Sequence, residues 1–130
     1  MNKIYLIILS LVLCQIVYAQ DLIPITFDKA PQFPGGNEKL LKSIQDSMIY
    51  PIESLKSKIG GTVYITFIID TTGKPKDIKI IKAVQADLDS EAVRIVRALP
   101  LWTPAECRGI KVSLPLTIPV TFDPSKSLHL

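Results

Sequence analysis

TVYITFIIDTTGKPKDIKIIKA, residues 62–83, reads as two strands joined by a tight turn. In its first half Val63, Ile65, Phe67 and Ile69 alternate with Thr62, Tyr64 and Thr66. That period of two belongs to a strand with one buried face, and it predicts β-structure from Thr62 to Asp70. Thr71, Thr72 and Gly73 supply the turn, with Gly73 free to take a positive φ. The return strand, Lys76 to Ala83, sets Lys76, Lys79 and Lys82 among Ile78, Ile80 and Ile81. Lysines spread along a strand in this way commonly guard a sheet edge.

Working outward towards the N-terminus, Gly35 and Gly36 break the chain ahead of a helix predicted from Asn37 to Met48. Asn37 is its expected cap and Glu38 suits its first turn. Leu40, Leu41, Ile44 and Met48 fall on one face, while Lys39, Lys42 and Gln45 face water. Pro51 holds Tyr50 extended and ends this helix. A short helical turn starting at Pro51 is predicted to run to Lys58, before Gly60 and Gly61.

On the other side, a second helix is predicted from Leu88 to Leu99, capped by Asp87 or Asp89 and stopped by Pro100. Leu88, Ala92, Ile95, Val96 and Leu99 share its inner face; Glu91, Arg94 and Arg97 lie outside. A last strand is predicted from Lys111 to Phe122. Val112, Leu114, Leu116, Ile118, Val120 and Phe122 alternate there with Ser113, Pro115, Thr117, Pro119 and Thr121. The two prolines share one parity, so their missing N–H groups fall on one edge, which is expected to border the sheet. The fold class that follows is α+β, in the order α-β-β-α-β. Two helices pack on one face of a three-stranded antiparallel sheet.

The N-terminus has a different character. Asn2 and Lys3 precede an apolar run from Ile4 to Leu13 broken only by Ser10, and Val17 and Ala19 are the small residues before an expected cut at Gln20. This is the pattern of a secretory signal peptide, residues 1–19. The alternative is an uncleaved anchor, for which residues 4–19 are short against the roughly 20 residues of a membrane span. A lipoprotein signal would use Cys14, but the bulky Leu13 precedes it. Residues 20–34, with Pro24, Pro31 and Pro34, read as an extended lead-in, residues 35–123 as the domain, and residues 124–130 as a flexible tail. Cleavage removes one Lys and no acid, lowering the formal charge of +3 by one. So small an excess gives no sign of a nucleic-acid surface.

Residues suited to catalysis are scarce. The single histidine, His129, sits beside the C-terminus, which removes Ser-His and Cys-His pairs and any histidine zinc site. Once Cys14 is lost, Cys107 stands alone in a polar stretch with no base or resolving thiol near it in sequence. Asp70 and Asp77 flank the hairpin, Asp87 and Asp89 suit helix capping, and none follows a calcium-loop spacing. Gly35 and Gly36 lack the Lys-Ser/Thr pair of a phosphate loop. Phe33 and Trp102 have the rings of stacking platforms, but Trp102 more naturally fills space between helix and sheet. The expectation is a protein that is not an enzyme and uses no cofactor or metal.

Taken in order, these elements resemble the C-terminal domain of TonB energy transducers. The resemblance runs from Phe33 to Phe122. It rests on Phe33, Pro34, Gly35 and Gly36, the form common in Bacteroidetes members, then Tyr50 and Pro51, Gly61 and Val63, and Phe67, Asp70 and Gly73. Leu88, Asp89, Glu91 and Ala92 follow, then Trp102, Pro104 and Gly109, and finally Pro119 and Phe122. Only residues 20–34 stand where the family carries a long Pro-rich linker.

The resemblance implies a periplasmic module that grips a short segment of an outer-membrane transporter or other envelope protein by β-augmentation. Ser113, Pro115, Thr117, Pro119 and Thr121 are the implied partner-binding edge, and Tyr50, Pro51, Gly61, Gly73, Trp102 and Pro104 the structural motif. The alternative is an inner-membrane-anchored transducer driven by an ExbB/ExbD-type motor. No nucleic-acid partner is implied, and a homodimer stays open.

Overall fold

The structure, a computed structural model, describes residues 28–126. The expected leader or anchor, the first part of the lead-in, and the end of the tail with His129 lie outside the described residues. The chain runs through α1 (Gly36–Ser47), α2 (Ile52–Lys56), β1 (Gly61–Ile69), β2 (Pro75–Lys82) and α3 (Ala86–Ala98). It ends with β3 (Ala105–Cys107), β4 (Ile110–Val112) and β5 (Leu114–Phe122). The main sheet is antiparallel in the order β2-β1-β5, as the three-stranded prediction required.

Alternation in β1 is realised directly. Val63, Ile65, Phe67 and Ile69 are buried on the helix side, against Leu88, Ala92, Ile95 and Val96 of α3 and Leu40 and Ile44 of α1. β5 adds Ile118, Val120 and Phe122 to this core. Each such side chain contributes roughly 1.5–3 kcal/mol when buried.

The hairpin turn is organised by one carboxylate. Asp70 Oδ1 accepts the Thr72 N–H at 2.8 Å, the Thr72 hydroxyl at 2.5 Å and the Lys74 N–H at 3.0 Å, while Lys76 Nζ lies 3.2 Å from Oδ2. The Thr72 hydroxyl, with the Lys74 and Thr72 N–H groups and Lys76 behind it, holds the Asp70 carboxyl well below the usual carboxylate range; desolvation opposes this. A carboxyl depressed on folding stabilises the fold above its unfolded value of about 3.9, and that stability is lost as pH falls through the folded value. Melting temperature against pH should therefore drop below about pH 4 in the native protein. Asp70→Asn should melt lower at neutral pH and show a flatter acid limb. An acid limb of unchanged steepness in that variant would place the sensitivity elsewhere.

Several local expectations are corrected. Asn37 does not cap α1: the cap is Gly35, at φ +87° with no side-chain bond, and Asn37 lies inside the helix. The first turn starts one residue early because the left-handed Gly35 already turns the chain, and Met48, expected as the last helical residue, is the C-cap. Leu41 is 55% exposed, so the buried face of α1 is Leu40 and Ile44 alone. The short helix covers less than Pro51–Lys58, since Lys58 takes a left-handed φ of 54°.

Nor do Asp87 and Asp89 cap the second helix, whose cap position is Gln85 with no side-chain bond. Asp89 Oδ1 instead accepts the Val84 N–H at 2.9 Å, and Asp87 Oδ2 accepts the Ser54 hydroxyl at 2.6 Å. Ser54 is fully buried, so this bond ties α2 to α3 where neither has apolar surface to spare. Glu91 faces inward, against expectation. It accepts the Ile49 N–H at 2.6 Å, while Arg94 holds both its oxygens and reaches the Ser47 carbonyl at 2.7 Å. The pair thus closes the carbonyl end of α1 against α3.

The last strand is not continuous from Lys111. It breaks at Ser113 into β4 and β5, and β4 pairs with β3 in a separate two-stranded sheet turning at Arg108–Gly109. The lead-in is strapped to that small sheet by two antiparallel bridges, Lys29 with Glu106 and Gln32 with Thr103. β2 also departs from regular pairing: its register with β1 shifts twice, around Asp77 at φ 50°. Such bulges twist an edge away from further pairing, reinforcing its lysines.

Candidate functional site

β2 and β5 are the two borders of the main sheet, and they differ sharply. β2 is bulged and lined by Lys76, Lys79 and Lys82. β5 is straight, pairing with β1 in unbroken register from Leu114 opposite Ile69 to Phe122 opposite Gly61. Pro115 stands opposite Ile68 and Pro119 opposite Tyr64. Neither has an N–H to give β1, so theirs are the positions whose backbone groups turn outward, and Thr117 and Thr121 share that parity. The side chains of Pro115, Thr117, Pro119 and Thr121 are exposed, while Ile118, Val120 and Phe122 point into the core.

Of the five predicted edge residues the structure brings four together on β5. Ser113 is separate: it is exposed at the break ahead of the strand, outside the ladder with β1. The Thr62 and Thr121 hydroxyls lie 3.0 Å apart across the two strands, and the Thr66 hydroxyl donates to the Leu116 carbonyl at 3.1 Å. Both bonds stiffen β5 from the open face of the sheet, leaving the outward carbonyls of Pro115, Thr117, Pro119 and Thr121 unclaimed by β1.

The predicted structural residues support this edge from behind. The Tyr50 hydroxyl donates to the Ile59 carbonyl, and its ring stands edge-on to Phe122 at 5.7 Å. Burial raises the Tyr50 pKa, with Asp123 and Asp87 adding to it, so the phenol stays a donor. Pro51 starts α2, and Gly61 starts β1 beside Val84. Trp102 is buried between Phe33, edge-on at 5.2 Å, and Phe67 at 5.8 Å, while its N–H bonds the Gly73 carbonyl at 2.9 Å. Pro104 follows, half-buried, at the entry to β3. Cys107 ends β3, half-exposed.

A cavity of about 490 Å³ beside β5 escaped the sequence reading. Its wall includes Phe33 and Gly36 from the lead-in and α1, Trp102, and Leu116, Thr117 and Ile118 of β5. The signal was present in Phe33-Pro34-Gly35-Gly36, read as a helix-breaking marker; which strand that segment would lie against depends on tertiary packing. Among the described residues no helix is long and apolar enough to cross a membrane.

Comparison with known proteins agrees with this architecture. The chain is similar in fold to two solution structures of the Helicobacter pylori TonB C-terminal domain. One aligns at a TM-score of 0.54 and 24% identity, over 67% of this chain and 91% of that one. The other, a longer piece, aligns at a TM-score of 0.52 and 22% identity, over 66% and 78%. No curated protein sequence matches the chain. The family described as Gram-negative bacterial TonB protein C-terminal matches residues 46–124, from the end of α1 to just past β5. With that match extending over more than half of its length, the chain belongs to the TonB C-terminal family.

Proposed function

We propose that this chain is a periplasmic, non-catalytic binding module of TonB type, accessory to energy-dependent transport across the outer membrane. It grips a partner strand by β-augmentation along the outer edge of β5. The partner is a TonB-dependent outer-membrane transporter, or another envelope protein presenting a short extended segment. The observation that carries the reading is a straight sheet border without lysines or bulges, in a domain whose other border has both. Family membership supports the transport role.

Pro115 and Pro119 leave Thr117 and Thr121 as the backbone donors on this edge, with Ser113 just ahead of it. Replacing Thr117 by proline removes the central donor while keeping an outward position that costs β1 no ladder bond. Thr117→Pro is expected to weaken binding of transporter N-terminal peptides by at least roughly tenfold, with a nearly unchanged melting temperature. Unchanged affinity, measured by calorimetric titration, would move the docking site off β5.

The apolar run at residues 4–19 favours a second reading, an inner-membrane-anchored transducer working with an ExbB/ExbD-type motor. Intact mass of the protein from its native envelope separates the two. The first expects a chain beginning at Gln20 in the soluble periplasmic fraction. Recovery of Met1 in the membrane fraction would establish the second.

A further inference from the structure

We infer that the cavity beside β5 receives one side chain of the incoming strand, and that this side chain is uncharged with a hydrogen-bond acceptor at its tip, as in glutamine or asparagine. The inference rests on the strand-addition reading above and adds its specificity. Three observations carry it.

The first is position. Leu116 and Ile118 flank Thr117 and face the helix side of the sheet, where both line the cavity. A strand laid on the outer edge of β5 turns alternate side chains to that same face. The residue opposite Leu116 or Ile118 therefore meets the cavity, and its neighbours do not.

The second is an unmet donor. The Trp102 indole lines the cavity, is only 5% exposed, and its Nε1–H is the buried side-chain polar group left without a partner among the described residues. Buried donors are nearly always bonded, and an orphan calls for an acceptor. The N-terminus of α1 opens at the same place, through Gly36 and Asn37, and its cap residue offers no side-chain acceptor.

The third is charge. The described lining consists of Pro31, Gln32, Phe33, Asn37, Leu40 and Trp102 with the β5 residues and Gly36, none of them ionised. A carboxylate or ammonium entering there would shed water without gaining a counter-charge. An amide keeps an apolar stem for Phe33 and Leu40 and an oxygen for the indole.

The sequence holds one tryptophan, so the indole N–H gives a single cross-peak in a proton–nitrogen spectrum. The probes are synthetic strand peptides of alternating Thr and Val, each carrying Gln, Ala, Leu or Glu at one scanned position. Gln at one helix-facing position is expected to bind roughly 3- to 10-fold tighter than Ala there and to move the indole peak. Trp102→Phe, which keeps an aromatic ring but no N–H, should lose that preference while binding the Ala peptide as before. The Thr117 and Thr121 amide peaks report strand addition separately. If they move with every peptide while the indole peak stays still, or if Leu or Glu is preferred, the inference is overturned and strand addition survives. If no peptide moves them, both fall.

Discussion

Trp102→Ala is expected to destabilise the domain by about 3–5 kcal/mol, the cost of removing a large aromatic side chain from a packed interior. The indole holds together parts of the chain that share little else: Phe33 from the lead-in on one side and Phe67 from the central strand on the other. Its loss would leave two phenylalanine rings facing a void already open to the cavity beside β5. A small domain is stable by about 5–15 kcal/mol in all, so the variant should be close to half-unfolded under mild denaturant. Urea titration followed by circular dichroism measures this directly. An unchanged midpoint combined with lost peptide binding would make Trp102 a contact residue and not a packing one.

Gly73→Ala is expected to be as damaging, although it adds a single methyl group. Gly73 sits at φ +88°, where a side chain costs roughly 1–2 kcal/mol in any surroundings. Here a Cβ would also stand 2.0 Å from the Trp102 carbonyl oxygen, which is backbone and cannot rotate away. The turn and the segment after α3 would have to separate. That would strain or break the bond from the Trp102 N–H to the Gly73 carbonyl and loosen the indole above Phe67. A total of about 3–5 kcal/mol follows from strain, clash and the lost bond together. Combining Gly73→Ala with Trp102→Ala should cost clearly less than the sum of the two, because both loosen the same contact. Additive losses in that double variant would show that hairpin and tryptophan are independent supports.

Where one physical pattern decided an element, it was legible beforehand. The inner faces of β1 and α3 follow from apolar spacing alone, and the border position of β5 follows from two prolines of equal parity. What escaped were the places where a polar group finds its partner far along the chain. Glu91 reads as a surface residue by helical spacing, yet the exposed Ile49 N–H and Arg94, brought together by folding, draw it under α1. Asp87 reads as a cap and instead serves Ser54, 33 positions away. The break at Ser113 was masked because alternation continues through it, so a strand that changes sheets looks like one that does not. For the candidate site, the edge was visible and the cavity was not, since its walls come from three separate segments.

The strap between the lead-in and β3 has a mechanical side. Lys29 and Gln32 hold Glu106 and Thr103 by paired backbone bonds of 2.7–3.2 Å, two bridges at the end of the described chain. Tension entering from that end meets them one after the other, as a zipper is peeled, and each bridge bears the whole force in its turn. β5 lies against β1 along nine paired residues. Tension along that strand's axis acts on all nine in shear, so none yields alone. A pull between the lead-in and a strand held on β5 should therefore first unpeel residues 29–32, lengthening the tether, while the gripping edge keeps its shape. The strap is a slack-taking element in series with a stiff one.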